Sequence, residues 1–235
     1  MKSKHKNFSS YSGVTNRVLS LGSEKWLPHL KARQMQETTP NLITLTIGEP
    51  DIPVATKLIE ICYKSMKSGR TRYSNGRGEE DLLKILSKKY SKSSGREITP
   101  HNILCFPGTQ TALFVALHGL AEEGDEVLVG DPLYASYEGV IEATGATLVK
   151  VPLNIKHGFS MQIEDLKKAI TPKSKVLLLN SPHNPTGAVM DKERIRRIFA
   201  LCQKYGIYLI SDEVYGRMIF SDSEAGFYSP AQIDQ

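Results

Sequence analysis

A polar, proline-rich loop, SPHNPTG (Ser181 to Gly187), is followed at a helix-plus-strand distance by SDEVY (Ser211 to Tyr215). Ser-Pro and Asn-Pro hold the preceding residues extended, and Gly187 permits a sharp turn. Such a loop would fix the Asn184 amide in one orientation, suited to hydrogen-bonding a phenolic oxygen. Asp212 ends an apolar run, and a carboxylate there can pair with a protonated pyridine nitrogen, keeping the ring cationic and electron-accepting. Tyr215, three residues on, can donate to the same oxygen as Asn184, while Glu213 is expected to point away and pair locally. Further upstream, PGTQ (Pro107 to Gln110) opens a helical pattern. Gly108, Thr109 and Gln110 there would offer backbone N–H groups and a helix N-terminus, where a phosphate is welcome. The same tetrapeptide also serves as an ordinary strand-to-helix turn. Tyr134, in DPLY, could lie flat on an aromatic ring or simply pack.

These groups need elements that bring them together. From about residue 100 the chain alternates short apolar runs with helical patterns. Strands are expected at Asn102–Phe106, Glu126–Gly130, Ala146–Val151, Lys175–Asn180 and Ile207–Ser211. Helices are expected after Gly108, with Ala112, Leu113, Ala116, Leu117 and Leu120 on one face, and at Tyr134–Ala143 and Ile163–Ile170. A further helix should start at Asp191, with Ile195, Ile198, Phe199 and Cys202 at helical spacing. Apolar strands that do not alternate, separated by helices, predict a parallel sheet covered on both faces. In such a sheet ligands bind at the carboxyl ends of the strands, where the polar groups above fall. Before residue 100, helices are expected at Ala55–Ser68 and Glu79–Lys92, flanking the turn-rich TRYSNGRG.

Composition bounds the class. The length fits one large or two small domains, and 40% apolar residues suffice for a core. No apolar run approaches 18 residues, so no membrane span is expected. The basic N-terminus, with Lys2, Lys4 and Lys6, lacks the apolar stretch of a secretory signal; a cytoplasmic protein is the expectation. The net charge is +5, yet the lysines and arginines are spread along helical faces. No basic stripe with interleaved aromatics suggests a nucleic-acid module, and no GxGxxG follows a strand as a nicotinamide-binding sheet requires. The three cysteines, Cys62, Cys105 and Cys202, form no CxxC pair, and each sits among apolar neighbours. They are expected to be reduced, buried side chains.

In order along the chain, IGEPD (Ile47 to Asp51), TRYSNGRG, PGTQTAL, GDEVLVGDPLYASY, ITPKSKVLLLNSPHNPTGAV and YLISDEVY resemble the class I and II aminotransferases. These are fold-type I pyridoxal-phosphate enzymes, and the likeness is to the aspartate-aminotransferase branch, from about Arg17 onward. The resemblance implies a three-layer αβα sandwich around a mostly parallel sheet. Residues 51–235 would be the cofactor-binding large domain, incomplete at its C-terminus, and residues 1–50 an N-terminal arm with part of a small domain. It implies pyridoxal 5′-phosphate as cofactor, with Gly108, Thr109 and Gln110 at its phosphate, Tyr134 stacked on its ring, Asn184 and Tyr215 at the ring oxygen, and Asp212 at the ring nitrogen. Gly48, with Tyr134 and Asn184, would meet the substrate, an amino acid or a 2-oxo acid. Tyr73 would reach the phosphate of a neighbouring subunit, which implies a homodimer in the complete enzyme. The Tyr of SDEVY fits aminotransferases better than the related carbon–sulfur lyases, which tend to carry His there.

One departure stands out: no lysine follows Lys204. In the family, the Schiff-base lysine that holds the cofactor and shuttles the substrate proton lies some tens of residues beyond the Asp–Tyr pair, so no catalytic residue can be assigned here. The resemblance thus implies an N-terminal portion of a transaminase, or alternatively a catalytically inactive product that retains a cofactor site. The family's next two strands are also missing; they would lie between Asn102–Phe106 and Ile207–Ser211, so a gap through the sheet is expected.

Overall fold

The computed structural model describes residues 11–21, 24–49, 51–223 and 225–233; Lys2, Lys4, Lys6 and the Pro50 of IGEPD lie outside them. Four strands form one parallel sheet: β1 (Glu126–Asp131), β2 (Thr147–Pro152), β3 (Ser174–Asn180) and β4 (Tyr208–Asp212), in the order β2-β1-β3-β4. The apolar run Val176–Leu179 explains why helices must cover both faces. Side chains alternate across a strand, and here both sets are buried. Leu177 and Leu179 pack with Leu128, Ile195, Ile198 and Met161 on one face; Val176 and Leu178 pack with Val127, Val129, Leu117 and Ile141 on the other.

The helices that supply these faces match their sequence patterns closely. α5 (Thr109–Leu120) buries Leu113 and Leu117, and α6 (Ala135–Glu142) buries Tyr137, Val140 and Ile141. On the opposite face lie α7 (Ile163–Ala169) and α8 (Lys192–Tyr205). The Asp191 side chain caps α8, accepting from the Arg194 N–H at 2.7 Å, which satisfies one of the free donors at a helix start. Upstream come α1 (Gly13–Ser20), α2 (Leu27–Gln36), α3 (Thr56–Lys67) and α4 (Glu80–Ser94). Arg17 on α1 donates from Nε to the Glu142 carbonyl at 2.9 Å, placing a cation at the C-terminus of α6, where the helix dipole favours it.

Three expectations are corrected. Asn102–Phe106 is not a strand: residues 100–102 form a 3-10 turn, and the extended stretch after it pairs with no strand among the described residues. β conformation is held by a ladder partner, and none lies beside it; Cys105 N–H bonds instead to the Arg77 carbonyl at 2.8 Å. The expected gap is therefore an end: the sheet stops at β4, whose Tyr208 side is exposed. Of the three free cysteines, only Cys202 is buried; Cys105 is half-buried and Cys62 exposed. Cys62 sits on α3, which buries no side chain at all, so its apolar neighbours stay in solvent with it. Burial pushes the Cys202 thiol up to about 12, so it stays neutral and unreactive.

Candidate functional site

The strand order places the site. From β1 the chain crosses to β2 on one side, and the later strands β3 and β4 continue on the other. Between the carboxyl ends of β1 and β3 the connections diverge, leaving a crevice at the switch point. A cavity of about 210 Å³ opens there, lined by Thr109 and Gln110 at the start of α5, Tyr134, Ser136 and Tyr137 after β1, Asn180 and Asn184 at the end of β3, and Asp212 and Tyr215 at the end of β4.

The carboxylate is held firmly. Asp212 is buried and stands opposite Asn180 in the β3–β4 register. Tyr137 Oη donates to Asp212 Oδ2 at 2.7 Å, and the Val214 N–H donates to Oδ1 at 3.2 Å. Tyr137 is only 1% exposed; burial, and then the neighbouring Asp212 carboxylate, push its phenol far above the usual tyrosine range. It therefore remains a donor at any ordinary pH. Tyr134 meets the Tyr137 ring edge-on, centroids 5.5 Å apart, a favoured aromatic arrangement.

The amide and the second phenol meet as well. Asn184 Nδ2 donates to Tyr215 Oη at 3.1 Å, and both residues line the cavity together with Asp212. The Asn184 N–H donates to Asn180 Oδ1 at 2.8 Å, and Asn180 Nδ2 donates to the Asp212 carbonyl at 3.0 Å. Within the loop, His183 Nδ1 pairs with Thr186 Oγ1 at 2.7 Å, and the ring also bonds the Pro132 carbonyl. His183 thus ties the loop after β3 to the loop after β1. Burial holds its imidazole below the usual histidine range, against the raising effect of that carbonyl. Glu213 turns away as expected, accepting from Ser211 Oγ and Ser229 Oγ at 2.9 and 2.7 Å.

At the other end of the cavity, Gly108 takes φ 96 and precedes α5, whose start has no side-chain cap. A side chain at that φ would be strained, and the first N–H groups of the helix are left for an external acceptor. The residues present fit pyridoxal phosphate: an uncapped helix start for an anion, an aromatic face, a buried carboxylate and an amide–phenol pair.

Of the residues singled out from sequence, Thr109, Gln110, Tyr134, Asn184, Asp212 and Tyr215 line the cavity and Gly108 adjoins it. Gly48 and Tyr73 do not: both are exposed, Tyr73 fully, and neither lines the cavity. Tyr137, Asn180 and Ser136 were missed. Tyr137 was signalled by its place one helical turn after Tyr134, which puts both on one side of α6. Asn180 carried the signal that exposed Asp212, a polar residue closing an apolar strand.

Fold and cavity together define an α/β protein with a polar, aromatic-lined crevice at the carboxyl ends of its parallel strands. The family model for aminotransferases of class I and II matches residues 40–233, and the chain belongs to that family, whose members depend on pyridoxal phosphate. It is 32% identical over 223 residues to the arginine–pyruvate transaminase of Pseudomonas aeruginosa, covering 95% of this chain and 56% of that protein. It is 33% identical to a probable aspartate/prephenate aminotransferase of Aquifex aeolicus, covering 94% and 56%. The aspartate aminotransferase from Thermus thermophilus with maleate superposes with a TM-score of 0.87 at 30% identity, over 96% of this chain and 58% of that one. The chain thus spans about 56% of the length of these curated relatives.

Proposed function

We propose that this chain is the cofactor-cradling part of a pyridoxal-phosphate-dependent aminotransferase, which moves an amino group from an amino acid to a 2-oxo acid. The observation that carries this reading is the convergence of Asp212, Asn184 and Tyr215 on one cavity that also meets the start of α5. Gly108, Thr109 and Gln110 would bind the phosphate through backbone N–H groups and side chains. Tyr134 would pack on the ring. Asp212 would hold a proton on the ring nitrogen, with Tyr137 and the Val214 N–H fixing the carboxylate against rotation. Asn184 and Tyr215 would donate to the ring oxygen. When bound, the cofactor supplies the electron sink for the electron pair left on a substrate α-carbon. Gly48 would meet the substrate, and Tyr73, fully exposed, would serve the site of a second copy in a homodimer. Residues 1–50 would be the N-terminal arm with part of a small domain, and 51–235 the cofactor domain.

No lysine is among the residues lining the cavity. The covalent anchor and the base for the substrate proton are thus not supplied by the residues that line it. The expected result is binding without turnover. Titration of the purified 235-residue chain with pyridoxamine 5′-phosphate should show saturable binding that Asp212→Ala weakens at least tenfold. Amino-group transfer from a panel of amino acids, with pyridoxal phosphate added, should not exceed that of the free cofactor. Turnover above that background overturns the second expectation; absence of saturable binding overturns the cofactor reading itself.

A further inference from the structure

Asn180 uses both ends of one short, rigid amide. Its Oδ1 accepts from the Asn184 N–H at 2.8 Å, and its Nδ2 donates to the Asp212 carbonyl at 3.0 Å. It is 5% exposed, so neither bond is exchanged with bulk water and losing either leaves a buried polar group unpaired. The backbone does not provide the same tie. Beyond Asn180↔Asp212 the β3–β4 pairing ends, and the next contact, the Ser181 N–H to the Asp212 carbonyl, is long at 3.4 Å. Past the last paired residues, this side chain is the shorter tie between the backbone of the loop bearing Asn184 and β4, whereas the Asn184–Tyr215 bond joins side chains only.

We infer that Asn180 is a positioning residue: its amide sets the spacing between Asp212 and the Asn184–Tyr215 pair, and so the width of the site across a bound ring. Two separate parts meet across that width. Asp212 is anchored through its carboxylate by Tyr137 and Val214, and Asn184 through its side chain by Tyr215. The Asn180 amide bridges the backbones of both. A phosphate bound at the start of α5 does not depend on this spacing, because Gly108, Thr109 and Gln110 come from another element. A ring that must reach both Asp212 and Asn184 does. The inference deepens the cofactor reading and rests on it only for the ligand part of its test.

The test uses the full 235-residue chain with two substitutions. Asn180→Asp keeps the acceptor for the Asn184 N–H and loses the donor to Asp212, whereas Asn180→Leu loses both at nearly constant volume. Amide hydrogen exchange without ligand should show Asn184 N–H protected in the parent and in N180D. In N180L it should exchange at least tenfold faster, while Leu177–Leu179 on β3 stay protected. A purely structural role would instead lower protection along β3 together. Affinity supplies the second reading, with pyridoxamine 5′-phosphate and inorganic phosphate as probes, the amine form chosen because it cannot react with surface lysines. N180L should weaken pyridoxamine phosphate tenfold or more and leave inorganic phosphate within about twofold. Unchanged exchange at Asn184 in N180L, or equal losses for both ligands, overturns the inference. Failure of the parent chain to bind pyridoxamine phosphate overturns the cofactor reading alone, and the exchange result then decides the role of Asn180.

Discussion

Asp212 and Tyr137 show how one hydrogen bond can prepare a site before any ligand arrives. A buried carboxylate is costly unless it is paired, and Tyr137 supplies the pairing from within the core at 2.7 Å. Because burial and the Asp212 charge raise the phenol, the folded chain keeps a proton that the unfolded chain releases near pH 10. That stability is full below about pH 10 and is lost as pH rises further. Tyr137→Phe should cost about 1–3 kcal/mol at neutral pH, since it leaves a buried acceptor underused. It should also flatten the fall in stability between about pH 9 and 11. Urea unfolding of both forms across that range checks this; equal slopes would show that the phenol proton is not linked to folding. At the same scale, Asp212, Asn184 and Tyr215 were legible in the sequence because each closes or follows an apolar strand. Tyr137 and Asn180 were not, because their partners are set by strand register and helix docking. Nothing in DPLYASY alone says that its second tyrosine reaches a residue 75 positions away.

Among the elements, the two loops that form the rim are held to each other by His183, through Thr186 and the Pro132 carbonyl. Burial lowers its imidazole, so the unfolded chain takes up a proton near pH 6.5 that the folded chain resists. Its contribution is therefore present above about pH 6.5 and is lost as pH falls through the lower folded value. His183→Gln should be less stable than the parent at pH 8 and closer to it at about pH 5.5. Thermal melts at the two pH values read the difference, and a constant offset would exclude His183 as the source. The helices from α3 onward and β1 to β4 were readable because their apolar spacing is local information. By contrast α1 and α2, read only as an arm, bury too little to show a stripe. The stretch at Ile103–Phe106 was not, although its residues suit a strand as well as Val176–Leu179 do. A strand is completed by its neighbour, and the sheet ends at β4 without reaching this segment.

For the whole molecule, surface area is the deciding quantity. A compact monomer of 26.1 kDa exposes about 10,600 Å² by the scaling of folded proteins; this chain exposes 17222 Å². Much of the excess is apolar. α2 and α3 bury nothing, leaving Leu58, Ile59, Ile61, Tyr63 and Met66 in solvent, and Ile43, Leu45, Ile52 and Val54 are more than 60% exposed. An interface of the obligate class buries about 1,000–2,500 Å² per chain, so one second copy would leave most of the excess uncovered. A net charge of +5 opposes association, but charges spread over a surface this large repel weakly at physiological salt. The expected behaviour of the 235-residue chain is concentration-dependent association into more than one species, with strong binding of a dye that reports apolar surface. Leu58→Lys with Ile59→Glu should reduce both, since neither side chain supports the core. Sedimentation velocity over a wide concentration range checks this. A single monomeric species with no dye response would mean that these helices find cover within the chain, and that the surface of this fold is far smaller than its backbone arrangement leaves open.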